Sequence, residues 1–317
     1  MARKPSLLQL YHIAHAYYME NKDQDTIAAS IGLSRSQVSR LLDQARKAGM
    51  VKFEVNFPSD IDAEALAESL RDELGLQAVR IAPRSVREDD PPVVLASFAA
   101  TVMPDLLVVP GDVGVGWGRT VYDFALRLRM HGTSVARRII PLVGSAGQQA
   151  PWLQVNSIVD RLAEKLEAER VFIRMQAFIE TGGHPPSRLE KENLNHLASL
   201  WKVVETAIIG LGMPADQATY LQTEIDHSVL VRLQKAGAVG DILGRFFGKD
   251  GKEIDPGDGW RLVSVSLERL KAMRNVLCIC RGNEKIDGII AAARSGYFKT
   301  LVTDAATAEA ILARRTS

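Results

Sequence analysis

Between residues 25 and 51 the apolar positions fall on a helical period twice. Ile27, Ala28 and Ile31 make the first stripe, and Val38, Leu41, Leu42 and Ala45 make the second. Gly32 and Leu33 stand between them, a residue free to turn left-handed followed by an apolar plug. Ser34 is placed to cap the second helix, and Gly49 suits the position just past its end. A further amphipathic stretch, residues 6–21, comes first, with Leu7, Leu10, Ala14 and Tyr17 or Tyr18 on its predicted buried side. Three short helices with a tight turn between the last two predict an N-terminal all-α helix-turn-helix head. An ordinary helical hairpin with a solvated polar face is the alternative.

From residue 77 the pattern changes. The apolar runs QAVRI, DVGVGWG, RRIIPLVGS, VFIR, TAIIGLG, VLCICRG and TLVTD read as strands. Helical stretches alternate with them, near residues 93–103, from 119, at 156–168, 189–201 and 220–235, within EKIDGIIAAARSG, and from 305. That alternation predicts an α/β domain with a mostly parallel sheet covered on both faces. Between head and sheet, VKFEVNF alternates as a short extended stretch closed by Pro58, with the linker around residues 57–62. Residues 61–74 follow as a helix whose Leu66, Leu70 and Leu74 pack on the second domain or on a partner subunit. The predicted division is residues 1–57 as a DNA-binding head and 58–317 as an effector-binding and oligomerisation domain.

Composition adds limits. A hydrophobic content of 46% with 24% charged residues is ordinary for a soluble globular chain of 317 residues. No apolar run reaches the roughly 20 residues a membrane span needs, and the N-terminus enters an amphipathic helix directly, so a cytoplasmic protein is expected. The net charge of +1 carries no global signature of nucleic acid, but residues 1–57 hold eight Lys and Arg against five acids. Cys278 and Cys280 share one face of a predicted strand and His12 and His15 one helix; neither pair has further ligands, so no metal and no cofactor is expected.

The head's second helix opens with Ser34, Arg35, Ser36, Gln37, Ser39 and Arg40. Arg reads guanine edges, Gln reads adenine edges and hydroxyls take phosphates, so this segment is the candidate reader of double-stranded operator DNA in the major groove.

In parallel sheets, ligands sit at the carboxyl ends of strands, and four corners stand out there. GVGWGRT, residues 114–120, leaves backbone amides exposed before a helix; Gly116, Gly118, Arg119 and Thr120 form a candidate anion cradle, or a tight turn with a capping Thr. GSAGQQ, residues 144–149, brings Gln148 to a polar corner suited to hydroxyls, or is a plain loop. GAVGDILGRFF, residues 237–247, offers Asp241 as an acceptor for two sugar hydroxyls or as a turn aspartate. RGNEK, residues 281–285, presents Lys285 to an acidic ligand or to solvent.

With these motifs in order, IAASIGLSRSQVSRLLDQARKAGMV, GVGWGRT, GAVGDILGRFF and GNEKIDGIIAAARSGYFKTLVTD, the chain resembles nearly end to end the SorC family of bacterial sugar-binding transcriptional regulators, which includes the deoxyribonucleoside and central glycolytic gene regulators. The resemblance implies a helix-turn-helix head and an effector domain similar to sugar-phosphate isomerases, with a phosphorylated sugar or polyol as ligand. It implies Gly118, Arg119 and Thr120 at an anion-holding corner, Asp241 as hydroxyl acceptor and Lys285 as ligand-facing lysine. GSAGQQ carries no lysine, a departure from relatives that hold an aldehyde sugar covalently near that corner, and an unphosphorylated polyol stays open.

The function expected is therefore a transcriptional regulator of a carbohydrate or polyol operon, without catalytic residues, working as a homo-oligomer, dimer or tetramer, on operator DNA. A sugar-phosphate isomerase with an accessory head is the alternative; it needs a positioned base, and His227 and Glu224 are not singled out by spacing. A third reading is an adaptor whose head binds protein.

Overall fold

The computed structural model describes residues 5–51, 61–84, 91–106, 110–129, 136–146, 150–218, 221–222, 224–257 and 259–314. The chain divides into two compact units, Met1–Asn56 and Phe57–Ser317.

The first unit holds α1 (Leu7–Tyr18), α2 (Gln24–Ile31) and α3 (Arg35–Lys47). Its core is Leu10, Ile13, Ala14, Ile27, Ala28, Val38, Leu42 and Ala45, with Leu33 and Leu41 packed at the margin. Gly32 adopts the left-handed conformation, φ 68°, that ends α2 and turns the chain toward α3. Two expected core positions differ: Leu7 is 69% exposed and Ile31 43%, because each lies one step outside the arc that faces the other helices. Ile13 takes the buried position on α1 in place of Leu7. The extended stretch expected after Val51 lies outside the described residues.

The second unit runs α4 (Ile61–Leu74), β1 (Ala78–Ala82), α5 (Pro91–Leu106), β2 (Gly111–Val115), α6 (Arg119–Arg127), β3 (Ala136–Pro141), α7 (Val155–Lys165), β4 (Glu169–Arg170), β5 (Phe178–Glu180) and α8 (Arg188–Lys202). It continues through β6 (Thr206–Ile209), α9 (His227–Lys235), β7 (Gly240–Ile242), β8 (Arg245–Phe247), β9 (Trp260–Leu262), α10 (Leu267–Ala272), β10 (Asn275–Ile279), α11 (Ile286–Arg294), β11 (Thr300–Asp304) and α12 (Ala305–Ala313). Seven parallel strands form one sheet in the order β1-β11-β10-β6-β2-β3-β4. The central strand β6 is buried throughout, which accounts for the unbroken apolar run TAII where a half-exposed strand would alternate.

Two features depart from the sequence pattern. VFIR is not a strand; β4 sits just before it at Glu169–Arg170, paired with β3 through Arg138 and Ile139 only, so the edge ladder has ended by Phe172. GAVGDILGRFF is not a strand-to-helix corner but an antiparallel hairpin, β7 with β8, separate from the main sheet. The Leu66, Leu70 and Leu74 face of α4 takes the first of its two expected places, on the second domain: Leu70 and Leu74 are buried in the main core and Leu66 packs against it.

At the amino-terminal end of β2, away from the ligand-binding end of the sheet, Asp112 is 5% exposed and receives two guanidinium forks. Arg137 donates to it at 3.0 and 2.9 Å, and Arg138 at 3.0 and 2.5 Å. Burial pushes the Asp112 carboxyl up, but the hydrogen bonds from Arg138 and Arg137 outweigh it and hold the carboxyl at about 2. A depressed folded value stabilises the protein above the ordinary value of 3.8, and that contribution is lost as pH falls from there through about 2. Asp112→Asn therefore destabilises by about 2 kcal/mol at neutral pH. Denaturant unfolding at pH 7 and pH 3 checks this: the difference between variant and wild type shrinks at the lower pH.

Candidate functional site

Because the connections from β2 and from β10 leave in opposite directions, β2 to β3 and β10 to β11, the sheet has its switch point at β6. The corners after β2, β6 and β10 open there onto a cavity of about 460 Å³.

The β2 corner supplies Trp117, Gly118, Arg119 and Thr120. Gly118, at φ 118° and ψ 153°, precedes α6 in a conformation only glycine takes readily, and its N–H donates to the Trp152 carbonyl at 2.8 Å. The first intrahelical bond of α6 is from Tyr122 N to Gly118 O, so the amides of Arg119, Thr120 and Val121 have no intrahelical acceptor and point with the helix dipole toward the cavity. The Arg119 guanidinium lies over the Trp152 ring, its Cζ 4.5 Å from the ring centroid.

The β6 corner lines the cavity with Gly210, Leu211, Gly212 and Met213. The β10 corner adds Arg281, Glu284 and Lys285; Lys285 Nζ donates to the Leu211 carbonyl at 2.7 Å, which ties the two corners together. Arg281 pairs with Asp304 at 2.5 Å. Burial pushes the Asp304 carboxyl up, yet hydrogen bonds from Thr307 and Arg281 leave it below the usual carboxylate range.

The β7–β8 hairpin forms another wall, through Asp241 and Leu243. Its two-residue turn has Leu243 at φ 57° and Gly244 at φ 80°, both positive as a type I′ turn requires. A leucine in that region is strained, and the turn is pinned by Gly244 N donating to Asp241 Oδ2 at 2.9 Å. The buried Asp241 carboxylate thus serves the turn and borders the cavity at once.

Of the predicted ligand residues, Gly118, Arg119, Thr120, Asp241 and Lys285 are brought together. Gly116 is not among the lining residues. A Cβ there would come within 2.4 Å of Leu243 Cδ2, so this glycine instead makes room beneath the hairpin tip. Gly116→Ala drives Leu243 into the cavity; the expected result is a loss of about 1–3 kcal/mol in stability together with weaker ligand binding, read by melting temperature with and without ligand. Gln148 lies outside the described residues. Sequence reasoning missed Trp152, Arg281, Gln217 and the β6 corner, although the glycines of TAIIGLG gave the same signal used for GVGWGRT.

In the head, Ser34 caps α3 through a reciprocal box: Gln37 N donates to Ser34 Oγ at 3.3 Å and Ser34 N to Gln37 Oε1 at 2.8 Å. In this arrangement Gln37 offers a base edge only its amide NH₂, and Ser34 Oγ also meets Ser36 Oγ at 3.0 Å. Arg35, Ser36, Ser39 and Arg40 remain exposed on the same helix.

A second cavity of about 480 Å³ carries Arg245 and Arg261, but these are tied to Glu253 and Glu190. Among the described residues no cluster of three metal-ligating side chains occurs, and no helix is long and apolar enough to cross a membrane. His227 and Glu224 do not line the main cavity.

Residues 61–313 match the family model of the sugar-binding domain, Sugar-bind. The chain belongs to this family of SorC-type regulators. Its relatives include the sorbitol operon regulator of Klebsiella pneumoniae, 26% identical over 98% of this chain and 100% of the relative. The transcriptional regulator LsrR of Escherichia coli is 29% identical over 96% of this chain and 94% of its own length. The crystal structure of full-length SorC from Klebsiella pneumoniae superposes with a TM-score of 0.74 at 24% identity, covering 98% of this chain and 100% of that one, and shows that the fold is shared. This SorC-type chain is thus a transcriptional regulator with a sugar-binding domain rather than an enzyme.

Proposed function

We propose that residues 1–57 bind a palindromic or repeated operator in the major groove and that residues 58–317 take a sugar or polyol, most simply a phosphorylated one, which controls that binding. Ser36, Ser39, Arg35 and Arg40 make the phosphate and base contacts, with Ser34 and Gln37 holding the helix end that presents them. A phosphate lies at the α6 N-terminus against Arg119 and Thr120, while Asp241 and Lys285 bind hydroxyls or the far end of the ligand. The observation that carries this reading is the convergence of three distant segments, residues 118–120, 241 and 285, on one cavity at the sheet's switch point.

The regulator acts in the cytoplasm as a homo-oligomer, dimer or tetramer, whose subunit arrangement sets the spacing of two heads and shifts with ligand. The relatives named for sorbitol and deoxyribonucleosides make hexitols, pentoses and their phosphates the panel to test. A ligand at about 100 times its dissociation constant stabilises by roughly 2.7 kcal/mol, so a thermal-shift screen of the full chain detects it. Silence across free and phosphorylated sugars and polyols sinks the reading.

A further inference from the structure

Two contacts tie Trp152 to the start of α6. Its carbonyl accepts the Gly118 N–H at 2.8 Å, and its ring lies against the Arg119 guanidinium, with Arg119 Cζ 4.5 Å from the ring centroid. The backbone at Trp152 is itself anchored. It belongs to a single 3-10 turn, Pro151–Leu153, whose Leu153 is buried in the main core and whose Leu153 carbonyl accepts the Ala146 N–H at 3.2 Å. Trp152 is half-buried, Arg119 is exposed, and both line the main cavity. The cavity's other two cations are held differently: Arg281 gives its Nε–H to Asp304 at 2.5 Å, and Lys285 gives an N–H to the Leu211 carbonyl at 2.7 Å. Among the described residues the Arg119 side chain makes the ring contact and no hydrogen bond or ion pair.

We infer that Trp152 is a positioning residue for the anionic end of the effector, acting through Arg119. A cation is drawn to the electron-rich face of an aromatic ring without giving a donor to any oxygen. Arg119 is therefore steadied while none of its N–H groups is committed to an oxygen of a described residue, and the guanidinium keeps the donors a phosphate needs. An arginine loose in solvent loses rotamer freedom when it closes on an anion; one already resting on a ring has lost part of that freedom beforehand. The bond from Gly118 N–H to the Trp152 carbonyl joins the ring's own backbone to the residue that opens α6, so the guanidinium and the open helix amides are presented together. This inference rests on the proposed sugar site and adds to it how the site's arginine is kept in place.

The test is calorimetric titration of the full chain with sorbitol 6-phosphate and ribose 5-phosphate, each beside its unphosphorylated counterpart. The variants are Trp152→Leu, Trp152→Phe, Arg119→Gln, and Trp152→Leu combined with Arg119→Gln. Trp152→Leu keeps the main-chain bond to Gly118 and is expected to weaken the phosphorylated probe that binds by about three- to tenfold. Trp152→Phe, which still offers a ring face, returns affinity to within about twofold of wild type. Arg119→Gln alone weakens binding by at least about tenfold. Adding Trp152→Leu to it weakens binding by no more than about a further twofold, because the ring then has no cation to hold; a residue that merely walls the pocket would show its full loss in both backgrounds. Losses that multiply in the double variant, or a Phe variant no better than the Leu variant, overturn the inference and leave the sugar site standing. So does a wild type that binds only the unphosphorylated sugars. A wild type that binds none of the four probes overturns the inference together with the site reading.

Discussion

Replacing Arg35 and Arg40 together by alanine lowers operator affinity by about a hundredfold or more, since a good arginine contact to a base edge contributes about 1–3 kcal/mol and two are removed per head. The loss is specific to DNA. The stability of α3 comes from Val38, Leu42 and Ala45 on its inner face and from the Ser34–Gln37 cap, none of which the substitutions touch. Arg35 faces Asp25 at 3.8 Å and also attracts Asp23, but these groups are exposed, so its removal changes folding little. Circular dichroism of the double variant therefore matches wild type. Any of the two side chains that contacts phosphate also reduces the salt slope of log K by about 0.9. Fluorescence anisotropy across a salt series measures both effects, and an operator affinity indifferent to the double substitution would point to a head that binds protein instead.

Lys285→Ala is expected to weaken effector binding by about 10- to 100-fold, the range set by charge-assisted hydrogen bonds of roughly 1.5–3 kcal/mol. Two losses add here. The ammonium no longer meets the ligand, and the Leu211 carbonyl, which Lys285 holds at 2.7 Å, is released, loosening the β6 corner against the β10 corner. Thr120→Ala makes a useful contrast, because it deletes one hydroxyl at the start of α6 and leaves the helix amides in place. Its effect is smaller, about five- to tenfold. Calorimetric titration of both variants with the same ligand ranks them; equal affinities for both variants and wild type would remove these corners from the site.

Much of this architecture was legible from residue pattern. Fully buried parallel strands leave unbroken apolar runs, and TAII and VLCI announce themselves for that reason. The helix-turn-helix was readable because Gly32, Leu33 and Ser34 each answer a local geometric need. What escaped depends on distant parts of the chain. Strands β5, β7, β8 and β9 have three residues each, too few to show a period. The hairpin turn is Leu-Gly where Asn-Gly or Asp-Gly would have signalled it, since Leu243 is held left-handed by the turn's pinning on Asp241.

The same distinction divides the site. Residues 118–120 and 285 were visible because glycines or a basic residue follow an apolar strand directly. Gly116 belongs to that motif in sequence, but its role is to admit Leu243 from a hairpin more than a hundred residues away. Trp152 and Gln217 carry no local mark of ligand binding, and only the closing of the sheet brings them to the cavity.

The central claim is that a ligand in this cavity controls DNA binding by the head. Its most direct test is the affinity of the full chain for DNA upstream of its own gene, at fixed salt, with and without the sugar or polyol found by thermal shift, in wild type and Lys285→Ala. The account predicts that the ligand changes wild-type operator affinity by about 5- to 150-fold, the usual range of coupling between sites, and that Lys285→Ala needs far more ligand for the same change while binding DNA normally without it. A ligand that binds the wild type tightly yet leaves its operator affinity unaltered would contradict it.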